Sequence, residues 1–378
     1  MEKPKIIIFV EYYLPGYKFG GPIQSIANLV RILYDNYDVF IVTRDRDFGD
    51  TKPYANIEAD TWIKQEHCYT IYLKPSSIGI TTIHKLINYQ SFDFVYTNSL
   101  FGQFTRILLV IVVYLKRKII IAPRGELNPG AISLKAYKKR PYVLLMRFLP
   151  VDRIIWHATD AEEIKSIKRI FANSKIKYAP VRLAPDTPKL LAPRTGYFKQ
   201  VGLVRLVSVA RITRVKNLDF LLRVLKEVWK GQIQLDLYGP ITDTVYWREC
   251  EILIHRLPEN CQVSYKHPLP HDKVSEIMAH YDFMILPTLG ENFGHVIFEA
   301  LSVGLPVIIS DKTPWQNLAT KNAGWDIPLE PVFWVDALQA SLRIDNQVYS
   351  KMSEQARTLA NDYVKSEKFE QSYIKLFS

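Results

Sequence analysis

The sequence is poor in cysteine and has no apolar run long enough to span a bilayer. Its 378 residues include three cysteines, Cys68, Cys250 and Cys261, and none of them forms a C-x-x-C pair. Three cysteines are too few for a disulfide framework, which favours a reducing, cytoplasmic setting. The longest apolar run, Ile107 to Leu115, has about half the length of a membrane-crossing helix. The sequence therefore predicts no disulfide framework and no membrane-crossing segment.

The sequence also has no internal repeat and no low-complexity segment, and it predicts no signal peptide. The apolar run near the amino terminus, Ile6 to Val10, is too short for the core of a signal peptide and indicates a buried strand instead. An apolar fraction of 48% with 23% charged residues is typical of a globular protein rather than a disordered one. At this length, two domains are expected.

The net charge of +11 lies entirely in the first half of the chain. Residues 1–185 hold 27 Lys and Arg against 16 Asp and Glu, whereas residues 186–378 hold 22 of each. Basic residues cluster at Lys116 to Lys118 and at Lys135 to Arg147, where they alternate with aromatic and apolar residues. Such a surface suits an anionic membrane, a phosphorylated acceptor, nucleic acid, or no partner at all. No nucleic-acid-binding signature accompanies it, so nucleic acid is not expected.

Short apolar runs alternate with helical patterns through both halves of the chain, which is typical of parallel, doubly wound sheets. In the first half, we predict strands at Lys5–Val10, Asp38–Val42, Tyr69–Leu73, Phe94–Tyr96, Lys118–Ala122 and Arg153–His157, and helices at Pro22–Leu33, Thr82–Tyr89, Phe104–Lys116 and from Asp160. In the second half, we predict strands at Val204–Val209, Gln234–Leu237, Val263–Lys266, Phe283–Leu286 and Val307–Ile309, and helices at Leu218–Trp229, Val245–Arg256, Lys273–His280 and Asn292–Ser302.

The segment from Ala179 to Gln200 interrupts this alternation. It holds four prolines and no helical stripe, as is typical of an interdomain connection. We therefore predict an α/β chain of two Rossmann-like domains, residues 1–185 and 201–361, joined by a linker at 186–200. A carboxy-terminal helix at about 362–378 could pack back onto the first domain. Ligands are expected in a cleft between the two sheets, beyond the carboxyl ends of the strands.

Two turns before predicted helices have residues suited to an anion. In the first, the loop Ala210 to Asn217 carries Arg211, Arg214 and Lys216 just before a helix, whose amides and dipole favour negative charge. A diphosphate fits such a loop, although the cations could equally form a surface salt-bridge cluster. In the second, Gly20 and Gly21 precede the first helix and permit close approach of a ligand, or simply a tight turn.

The stretch from Phe283 to Ser310 predicts a strand, a loop, a helix and a second strand. Its two glutamates, Glu291 and Glu299, are eight positions apart, with seven residues between them. On one continuous helix they would lie about 80° apart and two turns apart along the axis. They would then face different ends of an extended ligand.

Three stretches together resemble the family-4 glycosyltransferases, also called group 1, which have the GT-B fold: LPGYKFGGPIQSIANL, ARITRVKNLDFLL and LPTLGENFGHVIFEAL-x-x-GLPVIISD. The likeness covers nearly the whole chain, and the pair Glu291 and Glu299 is its most specific part. The stretches PRGELNPGA and GENFGH are similar to those of enzymes that build bacterial surface polysaccharides.

The resemblance implies a role for each matching residue. Arg211 and Lys216 would grip the donor diphosphate, Glu299 would bind the nucleotide ribose, and Glu291 would lie against the donor sugar. The other donor-binding candidates are the backbone amides of Asn292, Phe293 and Gly294, the glycine turn Gly20–Gly21, the pairs Tyr238–Gly239 and Lys266–His267 around the nucleobase, and His295, which could instead cap the helix.

The family works without a metal, because fixed cations and amides stabilise the leaving diphosphate. No D-x-D triplet stands in a suitable loop, so we expect no metal and no other cofactor. Many members have a histidine where this chain reads Pro123 to Glu126. Arg124 and Glu126 could bind the acceptor, or could pair with each other in a structural turn. His157 is predicted to be a packed strand-end histidine rather than a base.

The resemblance implies a retaining, metal-independent hexosyltransferase. It would move a sugar from a UDP- or GDP-linked donor to a lipid-linked glycan in surface-polysaccharide biosynthesis. The basic first half would dock on the anionic inner face of the membrane. A non-catalytic sugar-nucleotide-binding or scaffold protein of the same fold is the alternative, and nucleic-acid binding through the basic half is a third.

Overall fold

The computed structural model describes residues 2–111, 118–128, 131–132, 136–149, 151–175, 179–366 and 368–378. The chain divides into two compact units. Unit 1 comprises Met1–Thr187 and Glu367–Ser378, and unit 2 comprises Pro188–Ser366. Parts of two basic clusters fall outside the described residues, namely Lys116, Arg117 and Lys135, as does the end of the helix predicted over Phe104–Lys116.

The described part of unit 1 is built on a sheet of eight strands in the order β3-β4-β2-β1-β5-β6-β7-β8. Only β3 runs antiparallel to its neighbour. The order of the strands reverses between β1 and β5. These two strands are adjacent and parallel in the sheet, although they are far apart in the sequence. The strands are β1 (Lys5–Val10), β2 (Asp38–Arg44), β3 (Trp62–Lys64), β4 (Tyr69–Leu73), β5 (Phe94–Asn98), β6 (Ile119–Ala122), β7 (Ile154–Ala158) and β8 (Val181–Leu183).

Helices cover both faces of this sheet, which explains why its strands are apolar throughout. In β1, Ile7 and Phe9 pack into one core cluster, whereas Ile6 and Ile8 pack into the cluster on the opposite face. All four side chains are fully buried. The helices are α1 (Gly21–Leu33), α2 (Ile80–Ile87), α3 (Gln103–Ile111), α4 (Ala136–Met146) and α5 (Ala161–Ile170).

Unit 2 contains a parallel sheet of six strands in the order β11-β10-β9-β12-β13-β14. The strands that follow β9 in the sequence, β10 and β11, lie on one side of it. The strands that follow β12, namely β13 and β14, lie on the other side, so the strand order reverses between the neighbours β9 and β12. In α/β sheets, ligands bind beyond the carboxyl ends of the strands at such a reversal. The strands are β9 (Leu203–Val209), β10 (Gln232–Tyr238), β11 (Cys261–Tyr265), β12 (Phe283–Leu286), β13 (Val307–Ser310) and β14 (Gly324–Ile327).

Six helices of unit 2 pack on the two faces of its sheet in the described structure. They are α6 (Leu218–Lys226), α7 (Thr244–Ile254), α8 (Val274–Met278), α9 (His295–Val303), α10 (Pro331–Arg343) and α11 (Asn346–Ser366). One core cluster contains Leu206 with α6, α7 and α10, and the other contains Val207 with α8, α9 and α11.

The last helix of the chain, α12 (Phe369–Leu376), belongs to unit 1. Tyr373 and Phe377 pack into the core cluster that also holds Ile6 and Ile8. Arg182 of β8 donates hydrogen bonds to three carbonyl oxygens at the end of this helix, those of Lys375, Leu376 and Ser378.

The boundary between the units differs in detail from the predicted linker at 186–200. The short strand β8 already lies inside the proline-rich segment, because three residues pair with β7. Residues from Pro188 onward belong to unit 2. Arg194 fixes them there, since its backbone amide donates to Val303 O at 3.0 Å and its guanidinium to Tyr281 O at 2.8 Å.

Candidate functional site

The loops that follow β9 and β12 come together at the carboxyl edge of unit 2. The two strands are direct neighbours, with Leu206 opposite Phe283. Two hydrogen bonds then join their loops: Leu289 N donates to Val215 O at 2.7 Å, and Thr288 Oγ1 donates to the same oxygen at 3.2 Å. This contact brings the cationic loop beside the loop that carries the first glutamate.

Lys216 and Glu291 form an ion pair at this edge through Nζ and Oε1. Their side chains are mostly buried, with 20% and 13% exposed. Arg211 lines a small pocket with Lys216, Ser208 and Pro287. Burial lowers the pKa of Arg211, and the negative charge of Glu291 opposes that shift. The two cations and the carboxylate thus form one cluster at this edge of the sheet.

Arg214, the third cation of this loop, is directed elsewhere. Its guanidinium donates to Glu249 Oε1 at 2.6 Å and lies 4.0 Å from the carboxylate of Asp243. The surface salt-bridge interpretation therefore applies to Arg214, whereas Arg211 and Lys216 line the pocket and the ion pair between Lys216 and Glu291 is mostly buried.

The helix after this loop begins at His295 rather than at Asn292, so the helical-wheel relation predicted for the two glutamates is wrong. Gly294 is the N-cap, and its φ of 77° is not helical. A Cβ atom there would lie 2.8 Å from Ile297 Cδ1. Glu291 therefore belongs to the loop and Glu299 to the helix. Their relative direction depends on the turn between them, not on 100° per residue.

Aromatic packing shapes the turn at Gly294. Phe293 is buried, and its carbonyl accepts a hydrogen bond from Trp315 Nε1 at 2.7 Å. The ring of His295 packs edge-on against that of Phe293, with centroids 4.8 Å apart. His295 is the first helical residue and not the cap. Asn292 lies in the loop immediately before this pair, partly buried.

Glu299 has a partner that the sequence did not reveal. His271 Nε2 lies 2.9 Å from Glu299 Oε1, and the two side chains are 38% and 12% exposed. Burial lowers the pKa of His271, but the hydrogen bond and the charge of Glu299 outweigh it and raise the pKa above its ordinary value. No spacing in the sequence signals this contact, because His271 comes from the turn after β11.

Gly239 is predicted to frame a nucleobase, and the local backbone conformation also requires a glycine at this position. Its φ is 146°, and a Cβ atom there would lie 2.0 Å from Ala210 O. Its amide donates to His267 O at 3.2 Å, so it joins the loops that follow β9, β10 and β11. His267 is exposed with φ 66°, and its ring lies 4.9 Å from that of Tyr265. Trp247, which sequence reasoning missed, packs on Tyr265 at 5.1 Å.

In unit 1, Gly20 ends the loop after β1, and Gly21 is the first residue of α1. Gly20 is the N-cap with φ 73°, and Pro22 lies in the first turn of the helix. A Cβ atom on Gly20 would meet nothing within 4 Å, so its backbone conformation, not crowding, calls for glycine there. Beside this turn, Phe19 packs between Tyr12 and Phe48 at 4.8 and 5.4 Å.

Arg124 lies in a buried network of unit 1. Its Nη1 donates to Asp186 Oδ1 at 2.9 Å, its Nε to Asn98 Oδ1 at 2.7 Å, and its Nη2 to the hydroxyl of Tyr96 at 3.1 Å. Burial disfavours its charge, but the carboxylate of Asp186, together with smaller contributions from Tyr96, Tyr373 and Glu163, outweighs burial and raises the pKa of Arg124. The guanidinium is 8% exposed, so an acceptor could reach it only if this network opened.

Glu126 holds the loop that follows β5. Its carboxylate accepts hydrogen bonds from Ser99 Oγ at 2.8 Å and from the amides of Leu100 and Phe101 at 2.5 and 3.2 Å. Burial raises its pKa, and these hydrogen bonds oppose the shift. Arg124 and Glu126 therefore have separate partners among the described residues, and their pairing with each other is not the arrangement found.

His157 is fully buried at the end of β7, which confirms the prediction of a packed strand-end histidine. Its Nδ1 lies 2.9 Å from the hydroxyl of Tyr96, and its Nε2 lies 2.8 Å from Ala184 O. Burial, with a smaller contribution from the charge of Arg124, lowers its pKa to about 3. Both ring nitrogens are therefore used inside unit 1.

Within the described ranges, no group of three or more His, Cys, Asp or Glu side chains is arranged to hold a metal ion. In the same ranges, no helix has the length and apolar character needed to cross a membrane.

Comparison with known proteins supports the interpretation of unit 2. Residues 197–357 match the model of the family described as Glycosyl transferases group 1. The UDP-N-acetylglucosamine--peptide N-acetylglucosaminyltransferase GtfA subunit of Streptococcus pneumoniae serotype 4 is 27% identical over 114 residues, 30% of this chain and 21% of that protein. An uncharacterized 41.2 kDa protein in the cps region of Klebsiella pneumoniae is 22% identical over 241 residues, 62% of this chain and 64% of that protein.

The chain thus spans less than two thirds of the length of either relative. Among solved structures, that of Anabaena Alr3699/HepE in complex with UDP-glucose has a TM-score of 0.73 at 15% identity, covering 98% of this chain and 99% of that one. Residues 197–357 thus match the group 1 glycosyl transferases, and the two units, each built on a largely parallel sheet, have the GT-B fold.

Proposed function

We propose that this chain transfers a hexose unit from a UDP-linked donor to a hydroxyl group of a lipid-linked glycan, with retention of anomeric configuration and without a metal. The observation that carries the proposal is the cluster of Arg211, Lys216 and Glu291 at the sheet reversal of unit 2. Anions bind at such loop edges, and fixed cations there need no reorganisation during the reaction.

In the proposed reaction, the bond between the anomeric carbon and the diphosphate oxygen breaks, and a bond from the acceptor oxygen forms on the same face. The acceptor proton passes to the leaving diphosphate. Arg211 and Lys216 stabilise the charge that develops on the diphosphate, by several kcal/mol on the scale of such electrostatic interactions. Glu291 holds the sugar hydroxyls and keeps Lys216 in place through their ion pair.

The printed names of the relatives support the donor and the setting. One relative is named as acting with UDP-N-acetylglucosamine, and one neighbour was solved with UDP-glucose. The second relative is encoded in a cps region, which supports a role in surface-polysaccharide biosynthesis. These properties are those of the similar proteins, and for this chain they are part of the proposal.

A thermal-shift panel with UDP, GDP and their sugars tests the donor. A ligand at 100 times its Kd stabilises the folded protein by about 2.7 kcal/mol, which is readily seen as a shift in Tm. We expect UDP and UDP-sugars to stabilise the wild type and to lose most of that effect with Glu299→Gln. The exposed Glu276 gives a matched control, Glu276→Gln. Stabilisation by GDP instead would change the donor, and stabilisation by none would refute the site.

Lys216→Ala tests the phosphate role directly. Loss of a charged hydrogen bond is worth about 1.5–3 kcal/mol, so UDP affinity should fall roughly 10- to 150-fold while uridine affinity changes little. Lys226→Ala, which removes an exposed lysine of α6, should leave both affinities unchanged. Equal losses for UDP and uridine would exclude Lys216 from the diphosphate site.

Product analysis tests the chemistry. We expect transfer from UDP-sugar to a membrane extract to continue in EDTA, and NMR of the product to show the anomeric configuration of the donor. Inversion of that configuration, or loss of activity in EDTA that a divalent ion restores, would contradict the mechanism. Donor binding with no transfer to any acceptor tested would favour the sugar-nucleotide-binding alternative.

For the acceptor, we further propose that helix α4 docks unit 1 on an anionic membrane. Its inward face buries Val143 and Met146. Its outward face leaves Leu145 exposed at 68%, and Phe148, two residues beyond the end of the helix, is exposed at 83%. The remaining residues of this surface, which we call the apolar–basic surface, are Tyr137, Lys138, Arg140 and Leu144, all of them exposed.

Both parts of the apolar–basic surface favour a membrane. A Leu or Phe side chain gains about 1.5–3 kcal/mol when it is fully buried, and a Lys or Arg gains about 1 kcal/mol near an anionic leaflet. Co-sedimentation should therefore be stronger with vesicles that contain phosphatidylglycerol than with neutral vesicles, and weaker at high salt.

The double variant Leu145→Ser and Phe148→Ser should lower vesicle binding about 100-fold or more by the loss of this apolar burial. The matched control is Val332→Ser with Phe333→Ser, which changes two exposed apolar residues of unit 2. Binding that is independent of anionic lipid and salt, or an equal loss in the control, would remove the membrane contact from the proposal.

A further inference from the structure

Helix α9 carries one carboxylate among apolar neighbours. Ile297, Phe298, Ala300 and Leu301 are all fully buried, and Glu299 lies between them with 12% of its side chain exposed. A charged group in such surroundings needs a partner to offset the lost hydration. His271 provides it, with Nε2 at 2.9 Å from Oε1.

Only one carboxylate oxygen of Glu299 is used in this contact. Among the residues that the structure describes, no donor reaches Oε2, although Oε1 is held by the imidazole. The terminal torsion of a glutamate is broad and is not fixed by its rotamer, so a single carboxylate on a helix has no defined plane of its own. The histidine contact fixes that plane and leaves the second oxygen for a ligand.

The backbone around His271 is suited to holding the imidazole still. Pro268 and Pro270 lie in the segment just before His271, and each proline ring restricts the backbone angle φ of its own residue. Pro270 precedes the single turn His271–Lys273, where Lys273 N donates to Pro270 O at 3.0 Å. Leu269 packs against the same core cluster that contains α9. The ring is thus presented to Glu299 from a short, restrained turn.

We propose that His271 is a positioning residue for the nucleotide ribose: it orients the carboxylate of Glu299 so that Oε2 accepts a ribose hydroxyl. The inference rests on the proposed function, in which Glu299 binds the ribose. It adds that the discrimination for ribose hydroxyls comes from two residues on different elements, α9 and the turn after β11. His271 itself touches the carboxylate and not the ligand.

The test compares UDP with 2′,3′-dideoxy-UDP by titration calorimetry. The full protein is used as wild type, His271→Ala, His271→Gln, Glu299→Gln and the double variant His271→Ala with Glu299→Gln. His280→Ala is the matched control, because His280 is exposed in the same unit. Thermal unfolding of each ligand-free variant reports any loss of structure separately.

In the wild type, UDP should bind more tightly than the dideoxy nucleotide. His271→Ala should weaken UDP binding about tenfold and dideoxy-UDP binding less than about twofold, because only the former uses the oriented oxygen. His271→Gln should recover most of the loss, since its amide can donate to Oε1. In the double variant, His271→Ala should add less than about twofold to the effect of Glu299→Gln.

Two outcomes overturn the inference while leaving the proposed function intact. One is that His271→Ala prefers UDP over dideoxy-UDP as strongly as the wild type does, while Glu299→Gln still binds UDP more weakly. The other is an equal loss for both nucleotides in His271→Ala and His271→Gln, which would indicate a structural role. If neither UDP nor GDP binds the wild type, or if Glu299→Gln binds UDP normally, the proposed function fails and the inference fails with it.

Discussion

The buried His157 of unit 1 should make the stability of that unit depend on pH in a way that one substitution removes. Because Ala184 O can only accept, Nε2 must carry the proton of the neutral ring, and Nδ1 accepts from the hydroxyl of Tyr96. That hydroxyl in turn accepts from Arg124 Nη2. A second proton on His157 would lose the Tyr96 hydrogen bond and lie near the guanidinium.

The size and sign of the effect follow from the pKa of His157, which is about 3 in the folded protein against an ordinary 6.5. As the pH falls below 6.5, the unfolded chain takes up a proton that the folded chain refuses. Stability is therefore lost on acidification. Between pH 7 and pH 5, before the folded pKa is reached, the loss from this one group is about 2 kcal/mol.

Hydrogen exchange of peptides that cover β7, corrected for the intrinsic effect of pH, measures the opening free energy of unit 1. We expect His157→Gln, whose amide can replace both hydrogen bonds, to lose about 2 kcal/mol less than the wild type between pH 7 and pH 5. The raised pKa values of Glu126 and Glu163 act in the opposite direction, but they are common to both proteins and cancel in the difference.

The control for this prediction is His84→Gln, which replaces an exposed histidine on α2 of the same unit. Equal pH dependence in the wild type and in His157→Gln would refute the assignment of a neutral, buried imidazole. The assignment would also be contradicted if His157→Gln lowered the opening free energy equally at pH 7 and pH 5. Such a result would show that His157 contributes only by packing.

Two further predictions concern the loops and the last helix. Gly239→Ala should destabilise unit 2 and abolish UDP binding, because its Cβ atom would lie 2.0 Å from the carbonyl oxygen of Ala210, the residue before Arg211. A variant with the Tm and the UDP affinity of the wild type would contradict this close approach. Arg182→Ala should speed hydrogen exchange of Phe369–Leu376 by the loss of about 1 kcal/mol per hydrogen bond to the carbonyls at its end. Unchanged exchange there would show that α12 is held by its apolar face alone.

The strands were predictable because their signal is local. In a sheet covered on both faces, each strand is a near-continuous apolar run bounded by turn residues, and β1, β4 and β12 have the bounds that were predicted. Helix α4 was missed because Pro141 lies inside it and its apolar residues also occupy the outward face. Strands β3 and β8 were missed because each has three residues, too few to show a period.

Within the candidate site, the residue types were readable but their partners were not. The sequence places Arg211 and Lys216 before a helix, but the Glu291 that pairs with Lys216 is 75 residues away. It likewise shows two glutamates eight apart, but the glycine turn between them, with φ 77° at Gly294, removes their helical relation. Which side chains meet depends on the order of strands in the sheet.

The sequence by itself determined that this chain forms parallel sheets, that it carries the motifs of the group 1 glycosyl transferases, and that its cations lie at loop edges. These properties follow from local periodicity and short motifs. Only the tertiary structure decided that Arg124 is neutralised by Asp186, 62 residues away, and that His271 holds Glu299. The physical reason is that burial makes an unpaired charge costly, and the partner that offsets this cost is supplied by whichever element packs beside it.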